Sequence, residues 1–327
     1  MFATLTVTFP FFALVLCGYL AARRGLLPIA AIPGMNTFVL FFALPCMLFR
    51  FGASTPIAQL LDPVVALSYL LCALVMVTMA VFVTRRGRIG WNDAAFGALV
   101  AAFPNTGFMG VPLLVALLGA QAAGPAIVTI LVDMVITSSL CIALSRLDAA
   151  PGAMANVSAA GAAKNALRGV ASNPMPWAIV SGAMASAFAW RLPGPLATTV
   201  AMLADSASPV ALFTIGAVLA RSHMQAVSGH EPAVRWPEVV PVAAMKLVVH
   251  PLLVLAVGAA VIAAGLPLNP NAWYVVVLVA ALPSASNVSM LAERFGADNG
   301  RIARIILVST SAAFLTFTAA VTWLARP

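Results

Sequence analysis

Charged residues are scarce in this chain. Only 8% of its 327 residues are Asp, Glu, Lys or Arg, and only nine of them are acidic. Soluble domains carry about 25% charged residues, so the composition argues against a soluble enzyme. It also argues against a nucleic-acid partner despite the formal net charge of +8. The mean hydropathy of +1.05 instead predicts an all-α polytopic membrane protein.

Cysteine and histidine are also few, with four and three copies. The cysteines lie inside apolar stretches without a CxxC spacing, which is typical of small buried residues and indicates neither a disulfide framework nor a metal site. The chain contains no HExxH, GxxxxGK[ST] or GxSxG motif. The sequence therefore predicts no enzyme activity and no cofactor.

Long apolar runs fill most of the chain. A helix needs about 17 to 25 mostly apolar residues to cross a bilayer. Asp62-Pro63 and Asn269-Pro270 supply the N-cap and first-turn proline for the third and ninth helices. In total we predict ten spans, at residues 2–22, 34–53, 63–84, 94–118, 125–146, 174–190, 198–220, 239–264, 272–292 and 303–325.

The basic residues lie mainly on one side of these spans. Thirteen of the 17 Lys and Arg follow odd-numbered spans, whereas Arg50, Arg191 and Arg326 lie on the other side and Lys246 lies inside the eighth span. Because basic loops stay in the cytoplasm, both termini are predicted to be periplasmic, in the inner membrane of a bacterium.

The ten spans divide into two equal sets. An Ala- and Gly-rich stretch at 147–172 reads as a cytoplasmic connector between a first five-helix repeat, 1–146, and a second, 173–327. Since five is odd, the second set enters the membrane in the opposite orientation, which is the condition for an inverted repeat. Residues 43–52 and 207–216 align with Ala, Pro, Leu, Phe and Gly in step.

Two prolines interrupt apolar spans at corresponding places in the two sets. Pro104 lies in the fourth span and Pro283 in the ninth, and each is followed by small and polar residues. Hydrocarbon cannot satisfy the backbone groups that such a break exposes, so breaks occur where protein or a water-filled cavity takes over those bonds. Paired breaks indicate the binding site of a transporter, although a proline kink with a purely local role is the simpler alternative for either one.

Four segments of distinctive sequence are spread through most of the chain. They read NTFVLFFALP at 36–45, NTGFMGVP at 105–112, KLVVHP at 246–251 and ALPSASN at 281–287. Through them the chain resembles the auxin efflux carrier family, which includes bacterial malonate and malate permeases and plant auxin exporters. The resemblance implies ten helices in two inverted five-helix repeats, related to bile-acid and sodium/proton carriers, with the broken helices 4 and 9 crossing at the substrate. It also implies an elevator-like transport mechanism, in which spans 1, 2, 6 and 7 form a scaffold and the remaining spans form the moving transport unit. The resemblance is compatible with a homodimer.

The residues around the two breaks can bind an anion. Half-helices that start at a break direct their N–H groups and positive dipole end into the cavity, which suits a carboxylate. Glycine allows the backbone to approach a ligand closely, and the amides and hydroxyls offer hydrogen bonds. The predicted substrate-binding residues here are Asn105, Thr106, Gly107, Ser284, Ser286 and Asn287.

Three ionisable residues lie deep within the predicted spans. Lys246 and His250 are one turn apart on the eighth span, where Lys246 would pair with a substrate carboxylate or an acidic partner and His250 would bind substrate, move protons or simply bond a carbonyl. Asp133 is about eight residues into the fifth span. A free charge there is costly, so Asp133 is either the proton-coupling residue or part of a static salt bridge, with Lys246 as a candidate partner.

These features predict a secondary active transporter of small organic anions, a mono- or dicarboxylate symport system. The coupling ion is a proton or sodium, with the proton favoured, and membrane lipid is the surrounding partner. The alternative is a monovalent cation/proton antiporter of related fold, in which Asp133 exchanges the ions. Such antiporters generally use more than one acidic residue at that place, and Asp133 is the lone acidic residue in the span that follows the first break.

Overall fold

The computed structural model describes residues 2–55, 62–85, 89–147, 174–227 and 236–324, all of them helices and short connections. The predicted connector at 147–172 lies almost wholly outside the described residues. Twelve helical segments follow one another: α1 (Phe2–Arg23), α2 (Ile29–Ser54), α3 (Pro63–Arg85), α4 (Trp91–Ala102), α5 (Thr106–Leu118), α6 (Ala120–Leu144), α7 (Pro174–Ala187), α8 (Gly194–Val227), α9 (Trp236–Ala263), α10 (Pro270–Ala280), α11 (Asn287–Arg294) and α12 (Asn299–Leu324).

Six of these helices, α2, α3, α6, α8, α9 and α12, are long and apolar enough to cross a membrane. Four shorter apolar helices occupy the remaining predicted spans, at Phe9–Arg23, Thr106–Leu118, Trp177–Ala187 and Pro270–Ala280. The prediction of an all-helical polytopic membrane protein is confirmed.

The predicted helix starts at Asp62 and Asn269 are confirmed in detail. The Asp62 carboxylate accepts hydrogen bonds from the amides of Val64 and Val65, both at 3.0 Å. The Asn269 side chain accepts from the amides of Asn271 and Ala272 at 2.9 and 3.3 Å. In both cases the side chain satisfies backbone donors that have no partner inside the helix.

Helices α1, α2, α7 and α8 form one tightly packed group. Glycine allows close contact of their backbones. Gly18 of α1 lies against the carbonyl of Phe213 in α8, and Gly52 of α2 lies against the carbonyl of Ile179 in α7. A Cβ atom added to Gly52 would be only 2.9 Å from that carbonyl oxygen. Gly182 of α7 lies in turn against the backbone of α2, and Gly216 of α8 lies against the backbone of α1. Both helices of each pair, α1 with α8 and α2 with α7, therefore contribute a glycine to the contact. The other helices pack mainly among themselves: α3 on α4, α9 on α10 and α12, and α10 on α6.

Gly216→Ala should lower the free energy of unfolding by about 1–3 kcal/mol, because the added methyl group overlaps the Val15 carbonyl and forces α1 and α8 apart. Gly34→Ala is the matched control, since no atom lies within 4 Å of its added Cβ. Thermal unfolding of both variants in detergent measures the difference. An unchanged midpoint for Gly216→Ala would show that this contact does not limit packing.

Wide π-helical turns occur in four helices: one begins α5 at Thr106–Gly110, and three lie within α2, α6 and α9, at Val39–Ala43, Asp133–Thr137 and Met245–Val249. Such turns occur frequently at functional sites because they displace side chains from the regular helical register. The turns in α5, α6 and α9 contain predicted site residues, and they position the groups described next.

Candidate functional site

The two chain interruptions bind each other. The amide of Asn105 donates to the carbonyl of Pro283 at 2.8 Å, and the amide of Ala285 donates to the carbonyl of Phe103 at 3.0 Å. Pro104 and Ser284 therefore form an isolated antiparallel bridge between two short extended segments. The bridge satisfies backbone groups that the breaks release, which is what an interruption at membrane depth requires. We call this arrangement, residues 103–106 and 283–287, the crossing.

The helices that start at the crossing leave several donors free. Within the described residues, the amides of Gly107, Phe108, Ser286 and Asn287 have no hydrogen-bond acceptor. They belong to the first turns of α5 and α11, where the positive ends of two helix dipoles lie at the crossing. Neither segment of the crossing contains an acidic residue, so the local field favours an anion.

Two side chains at the crossing also lack partners. The Ser284 hydroxyl and the Asn287 side-chain oxygen are buried and bond to no described atom. The amide of Ser284 is bonded differently, since it donates to the Ser309 hydroxyl of α12 at 3.3 Å. Buried polar atoms without partners are uncommon, and here two lie within three residues of each other beside the free amides.

Most of the crossing is buried, and only Ser286 and Asn287 at its end are partly exposed. Ser284 and Thr106 are fully buried and Asn105 is 3% exposed. Gly107 and Ser286 are partly exposed. Ser286 lines a narrow cleft between α8 on one side and α11 and α12 on the other.

Lys246 and His250 face the end of the helix that precedes the second break. The Lys246 Nζ donates to the carbonyl of Ala280, the last residue of α10, at 2.6 Å. It also lies 3.2 Å from the His250 Nδ1. An ammonium group can only donate, so His250 Nδ1 accepts and the ring proton is on Nε2. That Nε2 atom is buried and has no partner among the described residues.

Asp133 is held by two hydroxyls. Its Oδ2 accepts from the Tyr69 hydroxyl of α3 at 2.7 Å, and its Oδ1 accepts from the Thr137 hydroxyl at 3.0 Å. The Tyr69 ring contacts the His250 ring, with 6.2 Å between their centroids. Asp133 makes no direct salt bridge with Lys246, although their charges are close enough to interact. The structure therefore brings Asp133, Tyr69, His250 and Lys246 into one buried cluster that ends on α10.

Sequence reasoning missed Tyr69, Thr137 and Ser309. Tyr69 is one of three tyrosines in the chain, and a hydroxyl in the middle of an apolar helix was the available signal, because buried tyrosine hydroxyls need a partner. On the exposed surface between α2 and α8, Asp205 forms an ion pair with Arg50 at 2.5 Å.

Comparison with known proteins identifies the family of the chain. The model of the family described as "Membrane transport protein" matches residues 4–321. The chain is 29% identical, over 94% of its length and 92% of the relative's, to a protein of Rhizobium meliloti (strain 1021) named "Putative malonate transporter". It is 27% identical to the "Uncharacterized transporter YfdV" of Escherichia coli (strain K12), over 88% of this chain and 86% of that one. The resemblance predicted from the four sequence segments is thus confirmed: the chain belongs to the Membrane transport protein family, that of the auxin efflux carriers, and is a membrane transporter rather than an enzyme.

Proposed function

We propose that this protein is a secondary active carrier of small carboxylates, with a malonate-sized dicarboxylate as the first candidate substrate, and that it couples transport to protons. The observation that carries the proposal is the crossing, which has four backbone amides without an acceptor among the described residues, a buried Ser284 hydroxyl without a partner, and no acidic residue in either segment. Preorganised N–H donors at two helix ends are suited to a carboxylate and unsuited to a cation. The name of the Rhizobium meliloti relative agrees with that choice of substrate.

The fold that we propose is ten transmembrane helices in two inverted five-helix repeats, 1–146 and 173–327. The glycine contacts support it, because Gly18 and Gly182 are 164 residues apart, as are Gly52 and Gly216. That offset is the one that aligns residues 43–52 with residues 207–216. Two equivalent glycine contacts at a single offset are expected when a two-fold axis relates the halves.

The proposed movement is of the elevator type. The group of α1, α2, α7 and α8, with its interlocked glycines, is suited to a fixed scaffold. The helices that carry the crossing form the moving unit, and the cleft at Ser286 marks the boundary between the two. Because Asn105, Thr106 and Ser284 are buried here, such a displacement is needed to expose them to either side.

Within this scheme each predicted site residue has a proposed role. Asn105, Thr106, Gly107, Ser284, Ser286 and Asn287 form the substrate site, and Pro104 and Pro283 create the breaks. The partner-free Nε2 atom of His250 donates to substrate or to an ordered water. Asp133 carries the coupling proton, since it is the one carboxylate in the buried cluster. We place the carrier in a bacterial inner membrane, with both termini periplasmic, surrounded by lipid and compatible with a homodimer.

Uptake into proteoliposomes tests the proposal directly. We expect purified protein to accumulate radiolabelled malonate or a related carboxylate when the side from which substrate enters is the more acidic, and equally with sodium or choline as the bulk cation. The same carboxylate should raise the melting temperature, because a ligand that binds only the folded state stabilises it. Exchange of sodium for protons without any effect of carboxylates would favour the antiporter alternative instead.

A further inference from the structure

The end of α10 is a place where a cation is expected. Its last turn carries the negative end of the helix dipole, and although the amides of Ala281 and Leu282 donate to the carbonyls of Val277 and Val279, no backbone amide of the described residues donates to the carbonyl of Ala280. Interrupted transporter helices use such carbonyls to hold sodium ions. Here the Ala280 carbonyl already has a cation, because the Lys246 ammonium bonds to it at 2.6 Å.

Two other groups near this ammonium favour a monovalent cation. His250 Nδ1 lies 3.2 Å from Nζ and offers a lone pair, and the charge of Asp133 lies close enough to interact with it. Tyr69, Cys72 and Cys141 are the remaining titratable groups of the neighbouring α3 and α6 that take part in this electrostatic cluster. The titratable residues Asp93, Glu238 and Arg301 form a separate cluster at the beginnings of α4, α9 and α12.

We propose that the Lys246 ammonium is a built-in replacement for a transported or structural sodium ion, and that it determines which ion drives this carrier. Lys246 is then a specificity-determining and positioning residue rather than a direct substrate ligand. Two of its three N–H groups are already used, on Ala280 and His250, which leaves little capacity for a carboxylate. This inference deepens the proposed function. It rests on the proposed function only where transport is measured, because the melting-temperature measurement below uses no substrate.

Two substitutions at position 246 separate charge from volume. Lys246→Ala removes the ammonium and leaves space beside the Ala280 carbonyl, where a hydrated sodium ion can enter. Lys246→Met also removes the charge but fills the space with an unbranched apolar side chain of similar length. We expect sodium to restore function to the alanine variant and not to the methionine variant.

In proteoliposomes, wild-type uptake should be equal within about twofold when choline replaces sodium, whereas both variants should lose at least about tenfold in choline. Uptake by Lys246→Ala should be about fivefold or more higher in sodium than in choline, whereas Lys246→Met should stay inactive in sodium. Sodium stimulation of the wild type, or equal behaviour of the two variants in sodium, would overturn the proposal.

A measurement without substrate keeps this test independent of the proposed function. Sodium chloride, compared with choline chloride at equal ionic strength, should raise the melting temperature of Lys246→Ala by about 3 °C or more, with no such shift for the wild type or for Lys246→Met. If no carboxylate is transported by the wild type but this shift is seen, the substrate assignment fails and the ion site stands. Absence of the shift overturns the ion site itself.

Poor folding of the single variants would itself be informative. Removing one member of a buried charge pair leaves the other uncompensated, whereas removing both is tolerated. The double variant Asp133→Asn with Lys246→Met should therefore be more stable than Lys246→Met alone. The opposite order would show that Asp133 is not the charge that Lys246 balances.

Discussion

Asp133→Asn should lower the melting temperature, because the buried Lys246 loses a nearby opposite charge, and the protein that folds and inserts should no longer accumulate substrate in response to a pH difference. Asparagine keeps an oxygen that accepts from Thr137, and the Tyr69 hydroxyl can rotate to accept from the new amide. The substituted side chain cannot bind or release a proton. We expect pH-driven uptake to fall by at least about tenfold, while exchange of internal for external substrate persists.

Asp205→Asn is the matched control for this substitution. It makes the same chemical change at a carboxylate that is 68% exposed and paired with Arg50 on the surface. Because exposed ion pairs contribute little, pH-driven uptake should be unchanged within about twofold. If Asp133→Asn still follows the imposed pH difference, the coupling proton resides elsewhere and the assignment of Asp133 is wrong.

The features that were predictable from the sequence depend on residues close together in the chain. Asp62-Pro63 and Asn269-Pro270 indicate helix starts because a cap acts on amides two or three residues away. The apolar runs indicate membrane helices through composition alone. Pro104 and Pro283 indicate interruptions because proline removes a backbone donor and excludes the preceding turn.

The features that were not predictable depend on pairs that are distant in sequence. Tyr69 and Asp133 are 64 residues apart, and neither residue identifies the other without the packing of α3 on α6. The close contact of Gly18 with Phe213 likewise has no local signal. The position of Lys246 well inside a predicted span indicated a buried charge, but not which group that charge would contact. A lysine side chain has four rotatable bonds and can reach several neighbours. Here it reaches the Ala280 carbonyl rather than an acidic residue.

Combining Ser284→Ala with Asn287→Ala should nearly abolish carboxylate binding without weakening the fold. Each side chain has a buried polar atom that bonds to no described group, so truncation removes no protein hydrogen bond from the described structure. A carboxylate can accept hydrogen bonds from the Ser284 hydroxyl and from the Asn287 side-chain NH2 group, but not from the Asn287 oxygen. A hydrogen bond to a charged ligand contributes about 1.5–3 kcal/mol, so losing two should raise the dissociation constant by at least about 100-fold. Equilibrium binding of labelled carboxylate in detergent gives the dissociation constant, and thermal unfolding without ligand checks the fold.

Ser309→Ala provides the structural comparison, because its hydroxyl accepts from the Ser284 amide and its loss leaves that buried amide unsatisfied. The free energy of unfolding of Ser309→Ala should be about 1–3 kcal/mol lower than that of the wild type. The double variant should unfold at the wild-type temperature. A double variant that binds carboxylate normally would remove the two side chains from the substrate site. One that instead loses as much stability as Ser309→Ala would show that Ser284 and Asn287 support the crossing itself, and that the anion is held by the backbone amides of α5 and α11 without them.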